Sequence, residues 1–385
     1  MGKCYRIGGE SELNHRTDQS STTQQRISNF LDPADSLGLG AIPARFLEFC
    51  QHSTESVHGN PLYTDYGVPP ELDNAEYDGA DSSVLSISRL DAGHILPLKP
   101  VPSIRPVIAI DTSTIKLGEL EDGSLCALRG ATVLLDKKQY RYVKYGPLVF
   151  SLGNNSYEAL QHFANLGLIT RFSGEPNVDG LLKRIRNAFE RWIQFTVCSS
   201  IANGFILMDG SLTAGTPDNP TKELESILET ARRNRSVVVA ISKKTKLRIR
   251  DQSITNLIEP TTEPCLFDVD EEVTEQFPAY PVRFLGRVFV GKLAKHAFTF
   301  RIDVDREIPI NETTKEICNL VGTDIVDQGY PETLRLAHIL ATFTAGDVLA
   351  MQAFAAARLG VQLIPKLALR RSLFGPFGTA WEAWH

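Results

Sequence analysis

The apolar positions of this chain fall into continuous, helical and alternating runs, and the most continuous run organises the others. Phe205-Ile206-Leu207-Met208 leads directly into Asp209 and then into the turn chemistry of Gly210-Ser211. An unbroken apolar run bounded by Gly204 and Gly210 predicts a strand covered on both faces, and in an open α/β sheet the carboxyl ends of such strands are where ligands bind. Upstream, Val107-Ile108-Ala109-Ile110 delivers Asp111 into Thr112 and Ser113 in the same way. Between the two acids, Leu181, Leu182, Ile185, Ala188, Phe189, Trp192, Ile193 and Val197 recur at helical spacing, which predicts an amphipathic helix from Val178 to Ser200 with Glu190 beside its stripe.

The pattern around this frame is legible in order. From Val107 to about Phe150 it predicts a three-stranded meander, with turn material at Gly118 to Gly123 and at Asp136-Lys137-Lys138. Tyr157 to Leu166 and Lys222 to Arg235 read as helices, the second started by Pro220-Thr221, and Ser236 to Ser242 as a further buried strand. Phe284 to Val290 and Ala297 to Val304 predict a hairpin around Lys292 to His296, and the acidic run from Asp268 to Glu275 is expected to be a solvated loop. Tyr330-Pro331 opens a helix with the stripe Leu334, Ala337, His338, Leu340 and Ala341, and Gly346 to Gly360 predicts another. Residues 1–100 carry helical spacing at Ile27, Phe30 and Leu31 and again at Phe46, Leu47 and Phe49, so an N-terminal helical extension, partly flexible, is expected. An aromatic-rich tail over 356–385 (Phe374, Phe377, Trp381, Trp384) closes a C-terminal helical region.

Composition narrows the function classes. With 385 residues and 42% apolar content the chain can bury a substantial core. No membrane span is expected, because no run of about 18 apolar residues is seen, and the polar N-terminus argues against secretion. The six cysteines are scattered without any CxxC, which signals neither a zinc site nor a disulfide framework and suits reduced thiols in a cytoplasmic protein. A formal charge of −6 gives no general affinity for polyanions, so any nucleic-acid contact must come from a local patch. The best basic surface is Arg184, Arg186, Arg191, Lys243, Lys244, Lys246, Arg248 and Arg250, in which the alternation of Lys244, Lys246, Arg248 and Arg250 would place them on one side of an extended segment.

Three strands, a helix, a strand, a helix and a strand, with acids on the first strand, the first long helix and the fourth strand, is the order of a ribonuclease-H-like core. Convergent carboxylates suit phosphodiester hydrolysis, which is assisted by divalent ions, and hard ions such as Mg²⁺ or Mn²⁺ take oxygen ligands. Lys243 would neutralise a phosphate and His338 would assist proton transfer. Each residue also has an ordinary reading. An Asp-Gly pair makes turns, Glu190 beside Arg186 and Arg191 makes surface ion pairs, and Tyr330 and His338 pack in cores. Glu119, Glu121 and Glu158 remain alternatives to Glu190.

The ordered set Ile108-Ala109-Ile110-Asp111, Glu190, Leu207-Met208-Asp209-Gly210-Ser211, Ala240-Ile241-Ser242-Lys243, Tyr330-Pro331 and Ala337-His338 resembles the NurA nucleases, over roughly Val101 to Ala355. The resemblance implies an α/β fold with a ribonuclease-H-like core, a mixed central sheet flanked by helices, and a nuclease domain over 101–355. It implies Mn²⁺-dependent (or Mg²⁺-dependent) hydrolysis of DNA, usually by a homodimer docked on a HerA-like hexameric ATPase, in end resection or anti-phage defence. Carried over, it makes Asp111, Glu190 and Asp209 the metal-binding acids, with Lys243, Tyr330 and His338 completing the catalytic site; Lys244 and Lys246 are alternatives to Lys243. DNA contacts are expected from Arg186, Lys244, Lys246 and Arg248. The chain departs from the compact family pattern in its long N-terminal part. It contains no GxxxxGK[ST], so any motor must be another chain. An actin-like or sugar-kinase-type ATPase is the first rival, but Asp111 and Asp209 lack the glycine arrangement its phosphate loops need; an inactive nuclease-fold scaffold binding a DNA translocase would have lost an acid.

Overall fold

The computed structural model describes residues 4–6, 41–64, 85–87, 95–153, 178–215, 219–245, 247–249, 252–276, 282–324 and 326–366. In chain order the N-terminal part supplies β1 (Cys4–Arg6), α1 (Ala44–Thr54), β2 (Pro61–Thr64), β3 (Leu85–Ile87) and β4 (Ile95–Pro97). The meander follows as β5 (Val107–Leu120), β6 (Gly123–Asp136) and β7 (Gln139–Gly153), then α2 (Val178–Ser200), β8 (Phe205–Asp209), β9 (Thr213–Ala214), α3 (Thr221–Arg233) and β10 (Val237–Ser242). After β11 (Leu247–Ile249), β12 (Gln252–Ser253), β13 (Cys265–Asp268), α4 (Asp270–Gln276) and β14 (Arg283–Phe284) come β15 (Gly286–Lys292), β16 (Phe300–Asp305) and α5 (Ile310–Thr323). β17 (Val326–Asp327), β18 (Tyr330–Pro331), α6 (Glu332–Ala341), α7 (Ala345–Phe354) and β19 (Gln362–Pro365) complete the described chain.

A twelve-stranded mixed sheet in the order β1-β7-β6-β5-β8-β10-β16-β15-β13-β4, with β2 joined to β5 and β19 to β2, runs through the molecule. As expected, it is a central sheet flanked by helices. β8 is parallel to β5 on one edge and to β10 on the other, and Phe205 to Met208 are buried on both faces, so no polar alternation survives in this stretch. The two-residue period of the strands sorts the rest. Ile108, Ile110, Met208 and Val238 join a core with Ile185, Phe189 and Val197 of α2, whereas Val107, Ala109, Leu207 and Val239 join a second core with Ile317 of α5 and Leu334 of α6. Gly130 lets α2 sit close: a Cβ there would meet Ile193 Cδ1 at 2.6 Å and Phe189 Cε1 at 3.1 Å.

Several expectations need correction. The N-terminal part is not simply helical: its described residues hold α1 and a 3-10 turn over Glu55–Val57, while β1, β2 and β4 pair with β7, β5 and β13 of the main sheet. Nor is the acidic run a solvated loop. It builds the end of β13 and α4, and buried Asp270 accepts from the Val288 amide at 3.0 Å and from Arg306 Nη1 and Nη2 at 2.7 Å each, which supplies the partners that burying a carboxylate requires. The C-terminal tail opens with a π-helical turn over Ala355–Leu359 and continues as a strand, β19, parallel to β2. The tract Glu332–Leu359 has the length and hydropathy of a membrane span, although polar residues break its apolar run. It is interrupted where Thr344 opens α7 with a capping box, and Leu334, Ala337 and Ala341 of α6 are buried in the protein. The predicted helix from Tyr157 to Leu166 and the tail aromatics Phe374, Phe377, Trp381 and Trp384 lie outside the described residues.

Candidate metal and nucleic-acid site

Asp209 is the last residue of β8, and Gly210 after it has φ +106°, a conformation that asks for glycine. The Gly210 amide donates to Ile241 O at 3.2 Å, and Ser242 Oγ donates to Gly210 O at 2.6 Å, so the turn is tied to the end of β10. Asp111 is not at a strand end, as the sequence suggested, but within β5. It stands one residue past Ile110↔Met208, the last pair of the β5–β8 ladder, so the edge of β5 next to it is released there. Asp111 and Asp209 continue the alternation of Ala109 and Leu207 and therefore belong to the face covered by α6, which carries His338.

One ligand atom each from Asp111, Asp209 and His338 lies within 4.8 Å of the others. His338 Nδ1 is 2.7 Å from Asp111 Oδ2, and Lys243 Nζ is 2.8 Å from Asp209 Oδ2. Lys243 Nζ also stands 5.3 Å from the centroid of the Tyr330 ring, which packs on Phe300 with centroids 5.4 Å apart. Asp111, Asp209, Lys243, Tyr330 and His338 are thus brought together. Lys244, the alternative to Lys243, is exposed.

Glu190 is not in that ligand cluster. It comes from α2 on the opposite face and meets Thr112, the neighbour of Asp111: Glu190 Oε2 accepts from Thr112 Oγ1 at 3.0 Å and Oε1 from Gln194 Nε2 at 2.9 Å. Gln194 in turn accepts from Arg191 Nη1 at 2.7 Å, and Arg191 Nη2 reaches Asn219 Oδ1. Burial above all raises the Glu190 pKa; Arg186 and Arg191 oppose it, and the charge of Asp111 adds to it. The exposed ion-pair reading of Glu190 is therefore replaced by a half-buried, hydrogen-bonded carboxylate. Sequence reasoning missed Thr112, Gln194 and Ser242; the one available signal was the i, i+4 spacing of Glu190 and Gln194 on one helix face.

Of the basic patch, Lys244 and Arg248 are exposed, Arg186 is half-buried beside Glu190, and Arg191 is engaged by Gln194 and Asn219 rather than offered as surface charge. Lys246 and Arg250 lie outside the described residues. Among the free cysteines, burial pushes the Cys126 and Cys198 thiols up to about 12, which leaves them inert as nucleophiles.

The hydrogen bond to Asp111 holds the His338 imidazole above its ordinary value of 6.5, against the downward pull of its own burial. A raised folded-state pKa means that this contact's contribution to stability is complete below the unfolded value and is lost as pH rises through the folded one. In metal-free buffer, the melting deficit of His338→Ala relative to the wild type is therefore expected to be largest below about pH 6.5 and to shrink towards alkaline pH. With the ring 34% exposed, screening keeps the effect under about 1 kcal/mol. A deficit that grows with pH would contradict the assignment.

Comparison with known proteins adds a family-level result. The model of the NurA domain family matches residues 105–343, well over half of the chain and including every residue of the cluster above. No curated protein matches. Among solved structures, this chain is similar to the NurA nuclease from Sulfolobus solfataricus, with 12% identity, a TM-score of 0.47, and 89% of this chain and 98% of that chain covered. It is also similar to another NurA structure (9% identity, TM-score 0.40, 75% and 94% covered) and to an endonuclease V from Streptomyces avermitilis (14%, 0.31, 73% and 96%). Likeness at these scores carries no weight beside the family match.

Proposed function

The chain belongs to the NurA family, and on that premise we propose that it is a divalent-metal-dependent deoxyribonuclease with a ribonuclease-H-like core. The observation that carries the reading is the convergence of Asp111, Asp209 and His338 ligand atoms within 4.8 Å. Two carboxylates suit a hard divalent ion such as Mn²⁺ or Mg²⁺, and the family resemblance favours Mn²⁺. An ion held there would supply Lewis acidity towards a phosphoryl oxygen and an acidified water near neutral pH.

The remaining roles belong to the chain's own side chains. Asp111 and Asp209 hold the ion. Lys243, beside Asp209, balances a charge and contacts a non-bridging phosphate oxygen, while the Tyr330 ring orients its ammonium. His338 holds a proton against Asp111 and passes it at the reacting oxygens. Glu190 holds Thr112, the neighbour of Asp111, from the α2 side, and Arg186, Lys244, Lys246 and Arg248 supply contacts along the DNA backbone. The family resemblance extends the proposal to a cytoplasmic homodimer that takes DNA from a HerA-like hexameric ATPase, in end resection or defence.

The test is incubation of linear single- and double-stranded DNA with the protein in Mn²⁺, Mg²⁺ or EDTA. Breakdown is expected with Mn²⁺, more slowly with Mg²⁺, and not in EDTA. Breakdown in EDTA would remove the metal mechanism, and ATP hydrolysis by the lone chain would favour a kinase-like core. Co-elution with a HerA-like ATPase tests the partner.

A further inference from the structure

Arg301 and Asp303 of β16 are 2% and 1% exposed, and they form a fork: Arg301 Nε donates to Asp303 Oδ1 at 2.8 Å and Nη2 to Oδ2 at 2.7 Å. A buried ion pair contributes little net stability, because desolvating both charges cancels most of their attraction and apolar residues of similar volume do as well or better. Here, however, both partners also reach the segment that leaves the site. Asp303 Oδ2 accepts from the Leu212 amide at 2.9 Å, and Arg301 Nη2 donates to Thr213 Oγ1 at 2.8 Å.

The rest of that segment is held just as firmly. The Leu212 carbonyl accepts from the amides of Leu285 at 2.8 Å and Gly286 at 3.2 Å, so both backbone polar groups of Leu212 go to the β14–β16 unit. Gly286 permits the approach, since a Cβ there would stand 2.9 Å from both Leu212 Cβ and Asp303 Cβ. Only Gly210 and Ser211 separate this anchor from Asp209.

We propose that Arg301 and Asp303 are positioning residues for the metal site, a buried pair that fixes the turn after β8 and so the direction in which Asp209 presents its carboxylate. The proposal rests on the reading of Asp209 as a metal-holding acid. The pair acts through the turn and touches neither ion nor DNA.

The test is the double substitution Arg301→Met with Asp303→Leu, which removes both charges together, so that no unpaired buried charge remains, and takes from the Leu212 amide and the Thr213 hydroxyl the partners named above; a thermal melt establishes that the variant is folded. With the anchors gone, the Leu212 amide should exchange hydrogen at least about tenfold faster, and Mn²⁺ affinity, read by electron paramagnetic resonance of the free ion, should fall about tenfold. DNA cleavage should lose about tenfold in kcat, with KM for DNA within about twofold. Thr213→Val, which removes only the hydroxyl contact, should move the same readouts in the same direction and serves if the double variant does not fold.

A folded variant with unchanged Leu212 exchange and unchanged Mn²⁺ affinity overturns the proposal, because a merely structural pair would leave both alone. If the wild type neither binds Mn²⁺ nor cleaves DNA while Leu212 exchange still rises, the metal reading of Asp209 is what fails, and the anchoring of the turn stands.

Discussion

Asp111→Asn and Asp209→Asn are each expected to lower Mn²⁺-dependent DNA cleavage by about a thousandfold or more. Asparagine keeps the size of the side chain and one acceptor but removes the charge that holds a divalent ion. Metal stabilisation of the transition state amounts to several kcal/mol, and about 4 kcal/mol corresponds to three decades in rate. Neither change should unfold the protein. Asp209→Asn weakens the contact that Lys243 makes with this side chain, but Lys243 is 25% exposed and its ammonium can turn to water; Asp111→Asn leaves His338 free to be neutral. His338→Ala, which removes a proton carrier, is expected to cost about a hundredfold. Initial rates on end-labelled linear DNA, taken beside thermal melts, measure these effects. Either carboxamide variant retaining activity within about tenfold of wild type would mean that the acids do not hold the catalytic ion.

The second large effect concerns stability. Phe189→Ala should destabilise the fold by about 3–5 kcal/mol, a substantial part of the roughly 5–15 kcal/mol typical of a whole protein. Phe189 is fully buried, with its ring 5.0 Å from Phe46 at 83°, 5.3 Å from Trp192 and 6.4 Å from Tyr145, so truncation opens a cavity walled by aromatic rings that cannot readily collapse. The ring also packs where Gly130 brings α2 against the sheet, and the next residue is Glu190. Equilibrium urea unfolding followed by tryptophan fluorescence reports the change through Trp192. A loss below about 1 kcal/mol would show that α2 is not fixed by this cluster.

The elements were readable where a local rule governs them. Val178 to Ser200 is a helix at those residues because its apolar stripe repeats at helical spacing, and Phe205 to Asp209 is a buried strand because its apolar run is continuous. Asp268 to Glu275 misled, because charge predicts solvent only until a partner is supplied, and Arg306 supplies it from 36 residues away. The N-terminal strands were hidden for a similar reason: three or four residues with a partner far along the chain leave little local pattern.

Local order along the chain determined that Asp111 and Asp209 would sit on core strands and that Glu190 would ride on the helix between them, since periodicity and backbone preference act over a few residues. What converges was decided only in three dimensions. Strand parity sends Asp111 to the α6 face and Thr112 to the α2 face, which places Glu190 against the threonine, while His338 reaches Asp111 across 227 residues of sequence. Likewise Lys243 rather than Lys244 meets Asp209. Such contacts depend on which helix covers which face of the sheet, and that is settled by packing between distant segments, for which no short-range pattern exists.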